Sequence, residues 1–168
     1  MFPYTAERPA PPRLASAYLT LGHFPTDFAP WWAAHWLVDG YDGPALRELA
    51  GLSASEPPQI HDLLPSTFAE MRIAPLTEAA AAELVFNDLA RLYLAGLADE
   101  LQVIGTVEQL VSDSAYSDAL LAPPLAELCG FYDEWESGGW GRPQSELATF
   151  VRESCVKHAS RGSWDSSG

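Results

Sequence analysis

The side chains best suited to acid–base chemistry cluster near residue 130, where Asp133, Glu134 and Glu136 surround Trp135. Two roles are open to such a group. General acid–base catalysis requires one carboxyl group in a cavity with a raised pKa. These acids instead end an amphipathic segment and precede the sequence SGGWG, which indicates a solvated face.

Aromatic residues accompany these acids, and this favours partner binding over catalysis. Aromatic side chains supply contact area at interfaces, while carboxylates steer and select a basic partner. The alternative is a solvated face that binds nothing. We name the predicted partner-binding set the acidic–aromatic surface; its members are Glu127, Tyr132, Asp133, Glu134, Trp135, Glu136 and Trp140.

A nucleophilic site is formally available at Cys155 and His158, three positions apart on one helical face. A reactive cysteine needs a base and an electropositive pocket. We favour a buried thiol beside a histidine at a helix end. The chain also lacks the G-x-S-x-G, P-loop and G-x-G-x-x-G patterns. No catalytic residue is therefore assigned, and a non-enzymatic role is favoured, with an enzyme of unrecognised class left open.

The histidines do not form a metal-binding pattern. His35 with Asp39, and His61 with Asp62, each supply two positions, but a complete site needs two further ligands that the spacing does not identify. We therefore predict neither a metal nor a cofactor.

The chain is strongly acidic, with 23 acidic residues against 9 basic ones and a net charge of −14. Residues 92–141 contain nine acids and no lysine or arginine. Such a surface repels phosphate backbones and anionic lipid, so neither nucleic acid nor a membrane is an expected partner. A basic protein is the predicted partner, although the charge could equally serve solubility alone.

The segment Thr77 to Leu94 organises the fold prediction. It contains strong helix formers and no glycine or proline, and it is apolar around most of its circumference. Its polar strip of Glu83, Asn87 and Arg91 is predicted to be a thin solvent-facing edge rather than a polar pocket. We predict an all-α fold: a single-domain bundle of about seven to eight mostly short helices around this central apolar helix, at about 78–95.

The other segments are mostly helical as well. A proline-rich arm is expected at 1–13, the helical domain at 14–160 and a disordered tail at 161–168. Asp42 is predicted to cap one helix, and Pro65 to break another into two. Leu125 to Ser137 is predicted to form one amphipathic helix, which Gly138 and Gly139 end.

The aromatic segment Trp31–Trp36 admits two interpretations. Trp32 and Trp36 lie one helical turn apart, and this spacing favours a ridge packed into the core. The alternative is a ligand pocket bounded by Trp31, Trp32, His35 and Trp36, which would make the protein a small-molecule-binding domain or an enzyme.

Cysteine content and the N-terminal sequence predict a cytoplasmic protein. Cys129 and Cys155 are too few for a disulfide framework, and the first residues, MFPYTAERPAPP, lack a signal-peptide pattern. The oligomeric state is left open.

Two passages resemble known kinds of protein. WLVDGYDGPALRELAGLS and HDLLPSTFAEM are similar to sequences of small helical bacterial proteins of uncharacterised function. FYDEWESGGWGR resembles the acidic, tryptophan-rich ends of immunity proteins encoded beside secreted toxins. The resemblance implies a cytoplasmic inhibitor that masks the basic active surface of a toxin.

Overall fold

The computed structural model describes residues 3–138 and 141–159, and within these ranges the regular secondary structure consists of helices, with no strand. This confirms the predicted all-α fold and the expected number of helices. The described residues form eight α-helices and two short 3-10 turns, Thr26–Phe28 and Leu125–Glu127. The helices are α1 Pro12–Thr20, α2 Ala29–Val38, α3 Pro44–Gly51, α4 Pro57–Glu70, α5 Glu78–Leu94, α6 Glu100–Asp113, α7 Phe131–Glu136 and α8 Gln144–Ala159.

The helices fall into two compact units, which we describe separately. The first unit ends at Thr77 and contains α1 to α4, and the second begins at Glu78 and contains α5 to α8. In the described part of the chain, no helix is both long and apolar enough to cross a membrane.

In the first unit, α3 packs against both α2 and α4. The prediction that Asp42 caps α3 is wrong, because Asp42 pairs with Arg47 instead. The Glu70 carboxylate caps α3 from the end of α4, accepting hydrogen bonds from the backbone N–H groups of Ala45 at 2.9 Å and Leu46 at 3.1 Å. The residue before them is Gly43, and only glycine fits there because a Cβ would collide with the Glu70 side chain.

The prediction that Pro65 breaks α4 is also wrong, since the helix is continuous through it. Proline removes one backbone hydrogen bond of the helix. The carbonyl group left without a helical donor is that of His61. Pro65 and His61 are both exposed, so water can solvate this carbonyl group. On the opposite side, Ile60, Leu64 and Phe68 remain buried as one stripe that holds the helix together.

In the second unit, α5 packs against α6 and α8. The predicted solvent-facing strip holds for Glu83, which is exposed, but Asn87 is only 6% exposed. Neighbouring helices cover the middle of α5, so helical spacing alone could not locate its exposed edge.

The single amphipathic helix predicted from Leu125 to Ser137 is interrupted at Gly130. This residue has a left-handed φ of 83°, which favours glycine. A 3-10 turn therefore ends before it, and α7 begins at Phe131.

Candidate functional site

The acidic–aromatic surface is built around α7, whose first turn is fixed from two sides. The Gly130 N–H donates to Glu108 Oε2 on α6 at 3.1 Å. Phe131, the first residue of α7, is buried. Together these contacts hold a helix of only six residues in place, although it is too short to be stable alone.

Glu134 faces an arginine of the same unit. Arg142 Nη2 lies 2.7 Å from Glu134 Oε1, and Arg142 Nε lies 3.1 Å from Glu134 Oε2. The hydrogen bond from Arg142 lowers the pKa of Glu134. The Arg142 guanidinium also stacks on Phe131 and Phe150, with its carbon 4.5 and 5.2 Å from the ring centroids. Glu134 thus anchors the segment that leads into α8.

Glu127 is held by three donors from α8. Its carboxylate accepts from Ser154 Oγ at 2.9 Å and Lys157 Nζ at 2.6 Å, and His158 Nε2 lies 3.2 Å away. Burial raises the pKa of Glu127, but these hydrogen bonds outweigh burial and bring the pKa below its ordinary value. Glu127 therefore joins the Leu125–Glu127 turn to α8 as an ionised group.

The other described members of the acidic–aromatic surface also lie on α7. Asp133 and Glu136 are exposed, and neither forms an ion pair with another described residue. Tyr132 and Trp135 are half-buried. Trp140 lies outside the described residues. The structure thus brings Tyr132 to Glu136 together on one short helix and places Glu127 on a separate turn against α8.

A groove of about 270 Å³ runs beside Tyr132 on the face of α6. The groove is acidic, because Glu108 and Asp113 line it. Sequence reasoning missed this face. The missed signal was Asp99 with Gln102, which form a reciprocal capping box and so start α6. Counting from that start puts a set of residues with i, i+3, i+4, i+7 and i+8 spacing on one face: Gly105, Glu108, Gln109, Ser112 and Asp113.

Cys155 and His158 are arranged for packing. Cys155 is fully buried, and burial raises the pKa of its thiol to about 12, the opposite of what a nucleophile needs. His158 turns its Nε2 toward Glu127 and sets its ring edge-to-face on Phe86 at 5.5 Å. Across residues 3–138 and 141–159, no three His, Cys, Asp or Glu side chains gather closely enough to hold a metal ion.

The aromatic ridge of α2 forms part of the core of the first unit. Trp32 and Trp36 are 0% and 1% exposed, with ring centroids 6.1 Å apart. Trp31 is 60% exposed and His35 is also in solvent. The open groove beside this helix, of about 500 Å³, is lined by Trp36 together with the proline-rich arm and Tyr41, and not by Trp31, Trp32 or His35.

Comparison with known proteins adds no relative: no family model, curated protein or solved structure matches this chain. The site must therefore be interpreted from its own geometry and charge.

Proposed function

We propose that this protein is a non-catalytic binding module for a basic protein partner, acting as an inhibitor of the immunity or antitoxin type. The observation that carries the proposal is the exposed pair Asp133 and Glu136 on α7, next to the acidic groove beside Tyr132.

The charge distribution supports this assignment. From residue 78 onward the sequence contains 15 acidic and 5 basic residues, giving a formal charge of −10 out of the total of −14. A field of one sign raises the rate at which an oppositely charged protein arrives, and the effect weakens with salt.

Aromatic residues next to the charge provide the contact area that steering alone does not. Tyr132 lines the groove and directly precedes Asp133 on α7, and Trp135 follows one turn later. Tyrosine and tryptophan are enriched among the residues that carry most of the binding energy at interfaces. In this proposal Asp133 and Glu136 meet the partner, while Glu127 and Glu134 keep the surface in shape through their bonds to α8 and Arg142.

The compartment belongs to the same proposal. Cys129 and Cys155 are both free thiols, which supports a reducing compartment such as the cytoplasm.

The test begins with recovery of the partner from lysate at low salt, followed by stopped-flow association with the purified partner. We expect Asp133→Asn/Glu136→Gln to slow association at least threefold at about 20 mM salt, with the difference vanishing near 500 mM because screening removes steering. The dissociation rate should change little, since rim charges act mainly on arrival, so the equilibrium affinity should fall by about the same factor as the association rate.

The matched control is Glu48→Gln/Asp62→Asn, which removes the same charge from exposed positions of α3 and α4. Equal slowing of association by both double variants would show that only the net charge matters, and it would refute the assignment of the binding site to α7. Failure to recover any basic protein would count against the inhibitor role itself.

A further inference from the structure

The proline-rich arm in the first unit is seated on α2 through defined contacts. The Trp32 indole N–H donates to the carbonyl oxygen of Thr5 at 2.7 Å, and the Trp36 indole N–H donates to that of Ala10 at 3.2 Å. The Ala10 side chain is fully buried, and the Tyr4 ring meets Trp32 edge-on at 6.3 Å.

This arrangement has the chemistry of a receptor for a proline-rich peptide. Proline has no backbone N–H, so such a segment presents carbonyl groups, and aromatic-lined sites recognise it with side-chain donors. Pro9 and Pro11 flank Ala10, and Pro11 has φ −52° and ψ 142°, the polyproline II conformation. Fixed φ angles reduce the entropy lost when the segment docks.

The arm is also organised as a ligand in its own right. Thr5 and Arg8 bond to each other through both backbone N–H groups, at 3.1 and 3.2 Å, which closes a local turn. The arm leads into α1 at Pro12, and none of residues 3–11 belongs to a helix. The segment can therefore leave its site without unwinding a helix.

We propose that α2 carries a docking site for a proline-rich segment with a small residue between two prolines, and that the chain's own residues 3–11 are its exchangeable occupant. A partner that bears a Pro-Ala-Pro-like segment takes the site by displacing the arm. This site is independent of the acidic–aromatic surface and uses indole N–H groups and a pocket for alanine rather than charge.

The experiment uses the full chain with Ala10→Glu, because a longer, charged side chain cannot occupy the buried alanine position. A fluorescein-labelled peptide of residues 3–13 is then titrated, and binding is followed by anisotropy. We expect saturable binding to the variant and at least tenfold weaker apparent binding to the unchanged chain. The tethered arm competes at a millimolar effective concentration.

Two controls make the result specific. The same peptide carrying Ala10→Glu should not bind. The indole N–H signals of Trp32 and Trp36 should exchange faster with solvent in the variant and regain protection when the unchanged peptide is added. A correctly folded variant, judged by circular dichroism, that neither binds the peptide nor recovers indole protection overturns the proposal.

A second preparation covers the case in which Ala10→Glu fails to fold. A protease site inserted between Pro11 and Pro12 allows the native chain to be cut while its arm is in place. We expect the cut arm to dissociate on dilution and to rebind when the peptide is returned, with indole protection following. If loss of the arm irreversibly unfolds the first unit, the arm is a permanent structural part of that unit, and the proposed exchange with a partner segment is refuted.

Discussion

The contacts of Glu127 predict a pH-dependent contribution to the stability of the second unit. The carboxylate accepts hydrogen bonds from Ser154 and Lys157 and faces His158. Only 25% of its side chain is exposed. Glu127→Gln keeps the size of the side chain and removes its charge.

The three partners differ in how much they contribute. The Lys157 side chain is 52% exposed, and an ion pair in that setting is worth about 0–1 kcal/mol. The His158 side chain is 4% exposed, so weakening its bond leaves a buried polar group poorly satisfied. Hydrogen bonds to a charged group contribute about 1.5–3 kcal/mol. We therefore expect Glu127→Gln to lower the free energy of unfolding by about 2 kcal/mol.

The sign of the pH dependence follows from the pKa of Glu127. Burial raises this pKa, but the hydrogen bonds together lower it by more, so the pKa in the folded protein lies below the ordinary value of 4.5. The stabilisation is thus fully present above about pH 4.5 and is lost as the pH falls through the folded pKa. The difference between the two proteins should be greatest at pH 5.5 and shrink toward pH 3.

Urea unfolding, followed by far-UV circular dichroism at pH 5.5, 4 and 3, measures this difference. The matched control is Glu153→Gln, an exposed position on α8 that lines a surface groove together with Glu127, and it should change stability by less than about 0.5 kcal/mol. An equal loss in both variants, or a Glu127→Gln loss that stays constant down to pH 3, would refute the reasoning.

Two further predictions concern a pair of glycines and the cysteines. Gly141→Ala should destabilise by about 1–3 kcal/mol in urea unfolding, because φ is 105° and the new Cβ would lie 3.1 Å from Glu134 Oε2. Gly51→Ala, at the open end of α3, should instead stabilise by about 0.5–1 kcal/mol, and a loss there would contradict the helix-propensity reasoning. Iodoacetamide at pH 8 should modify half-buried Cys129 before Cys155, whose pKa of about 12 and burial delay reaction until unfolding. Mass spectrometry of labelled peptides checks this order, and prior labelling of Cys155 would contradict it.

The sequence predicted the core of the aromatic helix well because the cause is local. Trp32 and Trp36 lie one turn apart, and a helix that presents two indoles on one face must bury them. The partners of their N–H groups were not predictable, since the carbonyl groups of Thr5 and Ala10 lie more than 25 residues away in the chain.

The site shows the same limit. Sequence reasoning selected Glu127 and Glu134 together with Asp133 and Glu136 because all four are acidic neighbours. The fold then separates them, since Glu127 and Glu134 meet cationic partners whereas Asp133 and Glu136 remain in solvent. Composition cannot make that distinction, because it depends on which basic side chain another segment of the chain brings near.

The sequence by itself determined the helical class, the buried aromatic ridge of α2 and the acidity of the second half, because helix propensity, aromatic spacing within one helix and charge are local or additive properties. Only the tertiary structure decided that Glu70 caps α3, that α4 runs through Pro65 and that α6 supplies an acidic face beside Tyr132. Each of those outcomes depends on contacts between segments distant in sequence or on which face of a helix is left to water, and packing alone fixes both.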